Sequence, residues 1–325
     1  MTIQLRSAAL AALLLGLPAW AFAEDVTLRY LGSQGGVSPA ELAAALGYFE
    51  GTGITLENLG YAGGGPETLI ALAGGSVDIG GAATPAVLNS IASGNDFVIA
   101  YPTNGVNETV HSTFYVLPDS PIKEIKDIAG KTIAVNTLGA HLDYVTREAL
   151  HSVGLPSDAA NLVVVPGPQL EQVLRSKQVD LTAFGYWQQT FEGAALKNGE
   201  LRPIFTDYQL TGDIAGGFAV LRRNWVQAHP EAAKTFVQAA ARALDYAREH
   251  PEETKVILAK VLEERGENPE VAQYFAGFGV RPGGLPTEHD VQFWIDVLTR
   301  EGQIQEGVLN AADLLTVPAS LVETN

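Results

Sequence analysis

The stretch Leu69–Asn95, LIALAGGSVDIGGAATPAVLNSIASGN, decides the fold of this 325-residue chain. Its first apolar residues, Leu69 and Leu72, have the spacing of a helix that packs against a sheet. Gly74 and Gly75 follow, and glycine commonly ends helices because it adopts the left-handed conformation at little cost. The stretch therefore begins with the end of a helix.

The second half of the stretch predicts a strand, a turn and a new helix. We expect a short buried strand at Val77–Gly80 and a turn at Gly81–Thr84. Pro85 suits the first turn of a helix, where the N–H group that it lacks would have had no partner. The turn would then lie at the amino end of a helix, where free N–H groups and partial positive charge favour a ligand.

The same phrase occurs a second time without a gap. Gly65–Asp78 aligns with Gly167–Asp180, so that Val77-Asp78 matches Val179-Asp180. The second copy continues to an aromatic pair, Tyr186-Trp187. The repeat predicts two α/β lobes of similar construction, each with a turn that faces a ligand.

Strands and helices alternate along most of the chain. Val26–Leu31 alternates in polarity and is rich in β-formers, which predicts the first strand, and the pattern restarts near Asn107. Such an order is typical of mainly parallel sheets flanked by helices and joined by right-handed crossovers. Residues 225–299 are helical in pattern, with breaks at several prolines.

Residues 1–23 have the pattern of an export signal. Arg6 is their only charged residue, Ala8–Leu17 form an apolar core, and Ala21-Phe22-Ala23 matches the small-x-small cleavage pattern. The apolar core is shorter than the about 20 residues that a membrane-spanning helix needs. We therefore expect cleavage after Ala23 and a location in a bacterial periplasm.

The composition disfavours several classes of partner and cofactor. The net charge of −17 repels nucleic acid and anionic lipid. The chain has six histidines without metal-ligand spacing and no cysteine, so neither a metal site nor a disulfide is expected. We expect no cofactor.

Nucleotide-binding and hydrolase motifs are also absent. The glycines at residues 63–65 fail the dinucleotide-binding pattern at Thr68, and Gly130-Lys131-Thr132 lacks the earlier glycine of a phosphate-binding loop, because Ile125 stands there. No Gly-x-Ser-x-Gly elbow occurs. We therefore predict no catalytic residues and no enzyme activity.

Several phrases occur along the chain in a characteristic order. They are Leu46–Glu50 (LGYFE), Ala71–Gly80 (ALAGGSVDIG), Asp119–Ile122 (DSPI), Asp127–Val135 (DIAGKTIAV), His229–Glu231 (HPE) and Glu249–Glu252 (EHPE). In order and spacing they resemble the solute-binding proteins of ABC importers, specifically the nitrate/sulfonate/taurine and thiamine-precursor group. The resemblance covers nearly all of the chain after residue 23.

The resemblance implies a two-lobed clamshell of the type II periplasmic-binding-protein fold, with two hinge crossovers near Thr103–Leu117 and Gly212–Leu221. Lobe 1 would comprise residues 24–107 and 217–325, and lobe 2 residues 108–216. The ligand would lie between the lobes, at the carboxyl ends of strands. The implied partners are a small-molecule ligand and the membrane permease subunits of the importer, and the implied state is a monomer.

The resemblance also implies a set of ligand-binding residues. They are Gln34, Gly35, Gly64, Gly65, Ala83, Thr84, Thr137, Gly139, Ala140, His141, Gln169, Tyr186 and Trp187. No Lys or Arg occurs among them. Trp187 is either a wall of the cleft or a core aromatic, and His141 is either a donor to an anion or a surface histidine.

Three functions remain open. The first is a binding protein for a small organic anion, such as an aliphatic sulfonate, taurine or nitrate. The second is a binding protein for a thiamine-precursor pyrimidine or another aromatic heterocycle, which the aromatic turn favours. The absence of Lys and Arg from these turns also favours it. Many relatives have Gly-Ser where this chain has Gly139-Ala140, and the lost hydroxyl donor argues against a sulfonate or nitrate head group. The third is an enzyme that resembles the thiamine-pyrimidine synthases; those rely on cysteines and are not exported, and this chain has no cysteine.

Overall fold

The computed structural model describes residues 25–315, and the predicted signal peptide at residues 1–23 lies outside them. Within that range, no helix is both long enough and apolar enough to cross a membrane. The strands are β1 (Val26–Gly32), β2 (Ile54–Tyr61), β3 (Gly80–Ala83), β4 (Phe97–Val106), β5 (Thr113–Val116), β6 (Thr132–Val135), β7 (Asn161–Val164), β8 (Leu181–Phe184), β9 (Arg202–Thr206) and β10 (Ile214–Arg222).

Helices connect nearly all of these strands. They are α1 (Pro39–Ala45), α2 (Gly65–Ala73), α3 (Thr84–Ala92), α4 (His141–Ser152), α5 (Leu170–Arg175), α6 (Gln189–Lys197), α7 (Tyr208–Thr211), α8 (Arg223–Ala228), α9 (Pro230–Glu249), α10 (Pro251–Glu264) and α11 (Glu288–Arg300). Short 3₁₀ turns occur at Ile125–Ile128, Gly167–Gln169 and Pro269–Tyr274.

The strands fall into two groups. β1 pairs with β2, and β10 lies between β3 and β4; we call these strands, with α1–α3 and α8–α10 packed on them, lobe 1. The other sheet has the order β7-β6-β8-β5-β9, and with α4–α7 it forms lobe 2. The chain passes to lobe 2 between β4 and β5 and returns between β9 and β10. Two lobes joined by two crossovers confirm the predicted fold class.

The sheets are mixed rather than mainly parallel. Among the described strands, β1–β2, β6–β7 and β6–β8 pair parallel, whereas β10 pairs antiparallel with β3 and β4, and β5 pairs antiparallel with β8 and β9. The antiparallel pairs involve the strands next to the two crossovers. Their direction depends on the return of the chain from the other lobe, which local sequence does not reveal.

The predicted strand at Val77–Gly80 is misplaced by three residues. β3 runs from Gly80 to Ala83, where it pairs with β10, and Thr84 begins α3 directly. Val77–Ile79 instead approaches β1 irregularly, since the N–H groups of Asp78 and Ile79 both point to the carbonyl oxygen of Arg29, at 2.8 and 3.1 Å. The small residues after Asp78 looked like a turn but serve as a strand because β10 supplies a distant partner.

Two large apolar clusters form the core. One lies within lobe 1 and includes Phe236 of α9, which is fully buried and packs on the rings of Phe49 and Tyr101. The other joins both lobes, since Val87 of α3, Leu142 of α4 and Trp294 of α11 belong to it. Trp294 has no exposed surface. The helices α3, α4 and α11 therefore hold the two lobes together on one side of the cleft.

Candidate functional site

The turn after β2 touches the turn after β6 across the cleft. A Cβ atom at Gly64 would lie 2.9 Å from the Cγ2 atom of Thr137 and 3.4 Å from Nδ2 of Asn136. Gly64 precedes α2, and a Cβ atom on its neighbour Gly65 would lie 2.5 Å from that of Ala82. Glycine is needed at both positions because the backbone of lobe 1 approaches lobe 2 and β3 closely here.

In the turn after β1, the backbone polar groups of Gly35 and the carbonyl oxygen of Gly36 already have hydrogen-bond partners within the protein. The N–H group of Gly35 donates to Oε2 of Glu267 at 2.6 Å, and the carbonyl oxygen of Gly35 accepts from Oγ1 of Thr190 at 2.8 Å. Arg265 donates to the carbonyl oxygen of Gly36 at 2.8 Å. Gly35 can therefore shape the cleft, but its polar atoms are committed to protein partners. The neighbouring Gln34 is exposed.

The predicted residues at the start of α3 lie at the hinge. Thr84 is fully buried, and its Oγ1 atom donates to the carbonyl oxygen of Ala215 on β10 at 3.1 Å. Ala83 precedes the helix, and no side chain caps the amino end of α3. The hydroxyl of Thr84 thus ties α3 to the returning hinge strand, while the N–H groups of the first turn have no side-chain cap.

His141 is buried, which excludes the surface position that the sequence left open. Its side chain has no exposed area, and its Nε2 atom lies 2.6 Å from Oδ2 of Asp207. Because a carboxylate can only accept, the proton is on Nε2. The other carboxylate oxygen of Asp207 accepts from the N–H group of Ser112 at 2.8 Å. His141 is therefore fixed at the start of α4 with its Nδ1 atom left without a partner.

An aromatic cluster surrounds this histidine. The ring centroid of His141 lies 4.8 Å from that of Tyr186, 6.2 Å from that of Trp187 and 5.4 Å from that of Trp294. Tyr186 is buried against Gly216 of β10, and burial, followed by the nearby Asp207 carboxylate, raises the pKa of Tyr186 well above its ordinary value. Its hydroxyl stays protonated at neutral pH.

Trp187 differs from its aromatic neighbours in exposure. It is half-buried, whereas Tyr186 is 2 % exposed and Trp294 is fully buried. The indole ring packs on Gly185 and lies edge-on to Tyr186, with ring centroids 4.7 Å apart. A half-buried aromatic side chain that packs on buried ones is typical of the wall of a cleft.

Of the remaining predicted residues of lobe 2, three lie at or just before the start of α4 and one, Gln169, lies apart from them. Ala140 precedes α4 and is buried, and Gly139 adopts φ +69° and donates its N–H group to Asp143 at 2.8 Å. Thr137 faces Gly64, as described above. Gln169 is exposed at the end of a 3₁₀ turn, and its backbone N–H group donates to Pro166. In the described part of the chain, no hydrogen bond links Gln169 to the other predicted residues.

Three buried polar atoms without hydrogen-bond partners lie where the lobes meet: Oδ1 of Asn136, Nδ1 of His141 and Nε1 of Trp294. Asn136 stands beside Gly64, and the other two belong to the aromatic cluster. Buried polar atoms nearly always have a partner, so each unpaired one calls for an explanation. They are an acceptor, a ring nitrogen and a donor that have no hydrogen-bond partner within the described part of the protein.

A cavity next to the hinge strands is lined by other residues. It has a volume of about 260 Å³ and is lined by the hinge strands and the segment before α11, with Val106, Ile214, Arg281 and Asp290 among its residues. None of the predicted ligand-binding residues lines it. Among residues 25–315, no group of three or more His, Asp or Glu side chains is arranged to hold a metal ion.

Sequence reasoning missed Asp207, Trp294 and Gln189. Asp207 follows β9 and Trp294 belongs to a helix far along the chain, and neither lies in a phrase that marks a ligand turn. Asp207 and Trp294 gain meaning only from His141, and Gln189 only from Ala276 and Gly277, which the fold brings close. A helical apolar position such as Trp294 looks like ordinary core until its unpaired indole N–H group is placed.

Two α/β lobes with apposed turns define the periplasmic-binding-protein fold. The chain belongs to the NMT1/THI5 like family, whose model matches residues 36–254. It is 25 % identical over 301 residues, 92 % of this chain and 88 % of the relative, to a protein named only as a binding protein in Brucella abortus (strain 2308).

Solved structures share the fold at low identity. The alkanesulfonate-binding protein SsuA from Xanthomonas axonopodis pv. citri, bound to MOPS, has a TM-score of 0.72 and 21 % identity, covering 90 % of this chain and 98 % of that protein. The periplasmic nitrate-binding protein NrtA from Synechocystis PCC 6803 has a TM-score of 0.66 and 18 % identity, covering 92 % and 91 %. At these identities the likeness establishes the fold alone.

Proposed function

We propose that the chain is the periplasmic solute-binding component of an ABC importer and captures a small organic anion between its lobes. The observation that carries the proposal is the apposition of Gly64 and Thr137, which brings a turn of each lobe together at the ends of strands. In open α/β sheets such ends are where ligands bind. Residues 24–107 and 217–325 would form lobe 1, and residues 108–216 lobe 2.

The head group would be held by helix amino ends and uncharged donors. Neither α3 nor α4 has a side-chain hydrogen bond at its N-cap, so backbone N–H groups of their first turns are open to an anion. No Lys or Arg occurs among the predicted residues, so the donors to the anion would be uncharged.

An aromatic heterocycle is the second candidate, and one observation favours it. Trp187 and Tyr186 form an aromatic wall next to a histidine nitrogen without a partner. A planar ring could stack on the indole, and a ring N–H or amino group could donate to Nδ1 of His141. A sulfonate has only acceptors and could not make that second contact with a neutral imidazole.

The remaining parts of the proposal concern partners and location. We infer that the protein acts as a monomer, docks on the permease subunits of its importer and reaches the periplasm after cleavage following Ala23. We also infer that it is not an enzyme. The thiamine-pyrimidine synthases that it resembles rely on cysteine, and the chain has none.

A ligand screen tests the proposal. The mature protein would be melted with MOPS, taurine, nitrate, an aminopyrimidine and an aromatic carboxylate, and each hit would be titrated by calorimetry. A ligand at one hundred times its Kd stabilises the folded state by about 2.7 kcal/mol. A hit among the sulfonates or nitrate supports the anion proposal, and a hit only with the pyrimidine supports the second candidate. Turnover of any compound would contradict the non-enzymatic role.

A further inference from the structure

The first turn of α6 reaches across from lobe 2 to the backbone of lobe 1. Oγ1 of Thr190 donates to the carbonyl oxygen of Gly35 at 2.8 Å, and both groups are buried. The next contact is between Gln189 and the segment Ala276-Gly277, which follows the last 3₁₀ turn of lobe 1. Gly35 is among the predicted ligand-binding residues, but its N–H and carbonyl groups already bind Glu267 and Thr190.

Gln189 is bonded through both ends of its carboxamide. Its Oε1 atom accepts from the N–H group of Ala276 at 2.5 Å, and its Nε2 atom donates to the carbonyl oxygen of Gly277 at 2.9 Å. The same Nε2 atom donates to the carbonyl oxygen of Tyr186 within lobe 2, at 2.8 Å. The side chain thus pairs with the lobe 1 backbone as a neighbouring strand would, and it is 9 % exposed.

The receiving surface is firmly held within lobe 1. The segment after Gly277 lies against β4, because the N–H group of Gly105 donates to the carbonyl oxygen of Phe278 at 2.7 Å. On the other side, Arg265 and Glu267 bind the backbone of the turn that contains Gly35. Movement of α6 away from these groups would therefore be movement of one lobe against the other.

Shape complementarity accompanies the hydrogen bonds. Gly193, one helical turn after Gln189, packs so closely on the ring of Tyr274 that an added Cβ atom would lie 2.2 Å from its Cγ atom. The contacts of Gln189, Thr190 and Gly193 with lobe 1 thus all come from the first two turns of α6. Backbone acceptors and donors make the fit independent of the cargo.

We propose that Gln189 and Thr190 form a closure latch, a pair of residues that sets the balance between closed and open lobes without contacting the cargo. The proposal deepens the proposed function, because apparent affinity equals intrinsic affinity multiplied by the closed fraction. Each net hydrogen bond favours closure modestly, and the bonds act together. Loss of both side chains lowers the closed-to-open ratio about tenfold.

A ligand-free measurement of lobe separation tests the latch. The chain has no cysteine, so Gln178→Cys in lobe 2 and Val256→Cys in lobe 1, both exposed, provide two unique sites for spin labels. Distances between the labels would be measured by pulsed electron resonance in the parent, in Thr190→Val and in Gln189→Ala/Thr190→Val. Thr190→Ser keeps the hydroxyl and is the matched control, and Gln172→Ala on the exposed face of α5 controls for loss of a glutamine.

The latch predicts a longer distance population that grows from the parent to the single and then the double variant, with both controls like the parent. Melting temperatures should change little, because the open lobes keep their own cores. Identical distance distributions in all proteins would overturn the latch. A double variant that melts earlier than the parent, but shows no open population at temperatures where it is still folded, would overturn it as well. Neither result depends on the cargo, so failure of the latch and failure of the proposed binding function are distinguishable. For any compound that binds in the screen, such as MOPS, the double variant should bind more weakly, by at most about tenfold, through faster dissociation.

Discussion

Asp78 exchanges two hydrogen bonds with the backbone of Arg29. Its N–H group donates to the carbonyl oxygen of Arg29 at 2.8 Å, and its Oδ2 atom accepts the N–H group of Arg29 at 3.1 Å. Asp180 makes the same pair of bonds with Thr132, at 2.9 and 2.8 Å. The two copies of the Val-Asp phrase are therefore structurally equivalent. In each copy the aspartate binds the backbone of a strand of the same lobe, β1 in lobe 1 and β6 in lobe 2.

Asp78, unlike Asp180, also forms ion pairs with two arginines. Nε of Arg29 lies 2.7 Å from Oδ2 of Asp78, and Nη2 of Arg222 lies 2.9 Å from Oδ1. Burial alone would raise the pKa of Asp78, but the hydrogen bonds from Arg29 and Arg222 outweigh burial and hold the pKa below its ordinary value. The charged carboxylate is thus the form that the folded protein favours.

Asp78→Asn should lower the free energy of unfolding at pH 7 by about 1–3 kcal/mol, because two guanidinium groups lose a buried anion. The stabilisation by Asp78 is present above the pKa of the unfolded state and is lost as pH falls through the lower folded pKa. Urea unfolding from pH 7 to acid should therefore show the difference between the two proteins shrinking at the acid end.

Asp180→Asn is the matched control for that change. Asp180 makes the same backbone bonds but lies at an exposed position, so its substitution should cost about 0.5–1 kcal/mol. Equal losses for the two variants would contradict a special role for the guanidinium groups. A gap between the variants that stays constant down to acid pH would contradict the lowered pKa.

This repeat shows what local sequence can predict. A helix end at Gly74, a Val-Asp phrase and a proline near the start of α3 are local signals, and the structure has α2 ending at Ala73 and Pro85 in the first turn of α3. The signal for two similar lobes came from the spacing of the phrase. These features depend on backbone conformation and hydrogen bonds within a few residues.

Features that depend on distant partners were not predictable. β3 was placed three residues too early because its partner, β10, lies far along the chain. The burial of His141 depends on Asp207 and Trp294, which no ligand-turn phrase marks. The sheets are mixed because strands next to the hinge return from the other lobe. Helix ends and turns could be predicted from the sequence, whereas pairing between distant segments could not.

The buried pair of His141 and Asp207 predicts a change of tautomer. In Asp207→Asn, the new amide can still accept from Ser112 through its oxygen, which turns its NH₂ group toward Nε2 of His141. The ring must then accept at Nε2 and carry its proton on Nδ1. We expect a loss of about 1–3 kcal/mol in stability, and nitrogen NMR should report the exchanged tautomer. Retention of the proton on Nε2 would contradict the assignment.

Glu192 predicts the opposite pH response to Asp78. It lies on α6 and accepts from the hydroxyl of Tyr115 at 2.8 Å. Burial raises the pKa of Glu192 above its ordinary value, although hydrogen bonds from Tyr115 and Thr113 act against burial. Because the folded protein binds this proton more tightly than the unfolded chain, stability falls as pH rises through the window between the two pKa values.

Glu192→Gln removes that titration and keeps an oxygen for Tyr115. The variant should be more stable than the parent at neutral pH, by about 0.5–1.5 kcal/mol, and the advantage should disappear toward acid. Chemical unfolding at several pH values measures both effects. A variant that is less stable than the parent at pH 7 would show that the carboxylate, rather than its protonated form, is favoured by its surroundings.

The last prediction concerns the two tryptophans beside His141. Trp187 is half-buried and Trp294 is fully buried, so the same substitution should act on different properties. Trp187→Ala should cost about 1–3 kcal/mol of binding free energy, the range for a packed aromatic contact. The loss would be measured with the compound that binds most tightly in the screen. The effect of the substitution on ligand-free stability should be smaller, because a cleft side chain is partly solvated before the ligand arrives.

Trp294→Ala serves as the core comparison and should lower the free energy of unfolding by about 3–5 kcal/mol, as expected for a large cavity. Calorimetric titration and urea unfolding of both variants separate the two roles. If Trp187→Ala instead loses several kcal/mol of stability while its folded fraction binds normally, Trp187 is a core residue. The aromatic wall would then be removed from the proposed site, and with it the argument for a stacked heterocycle.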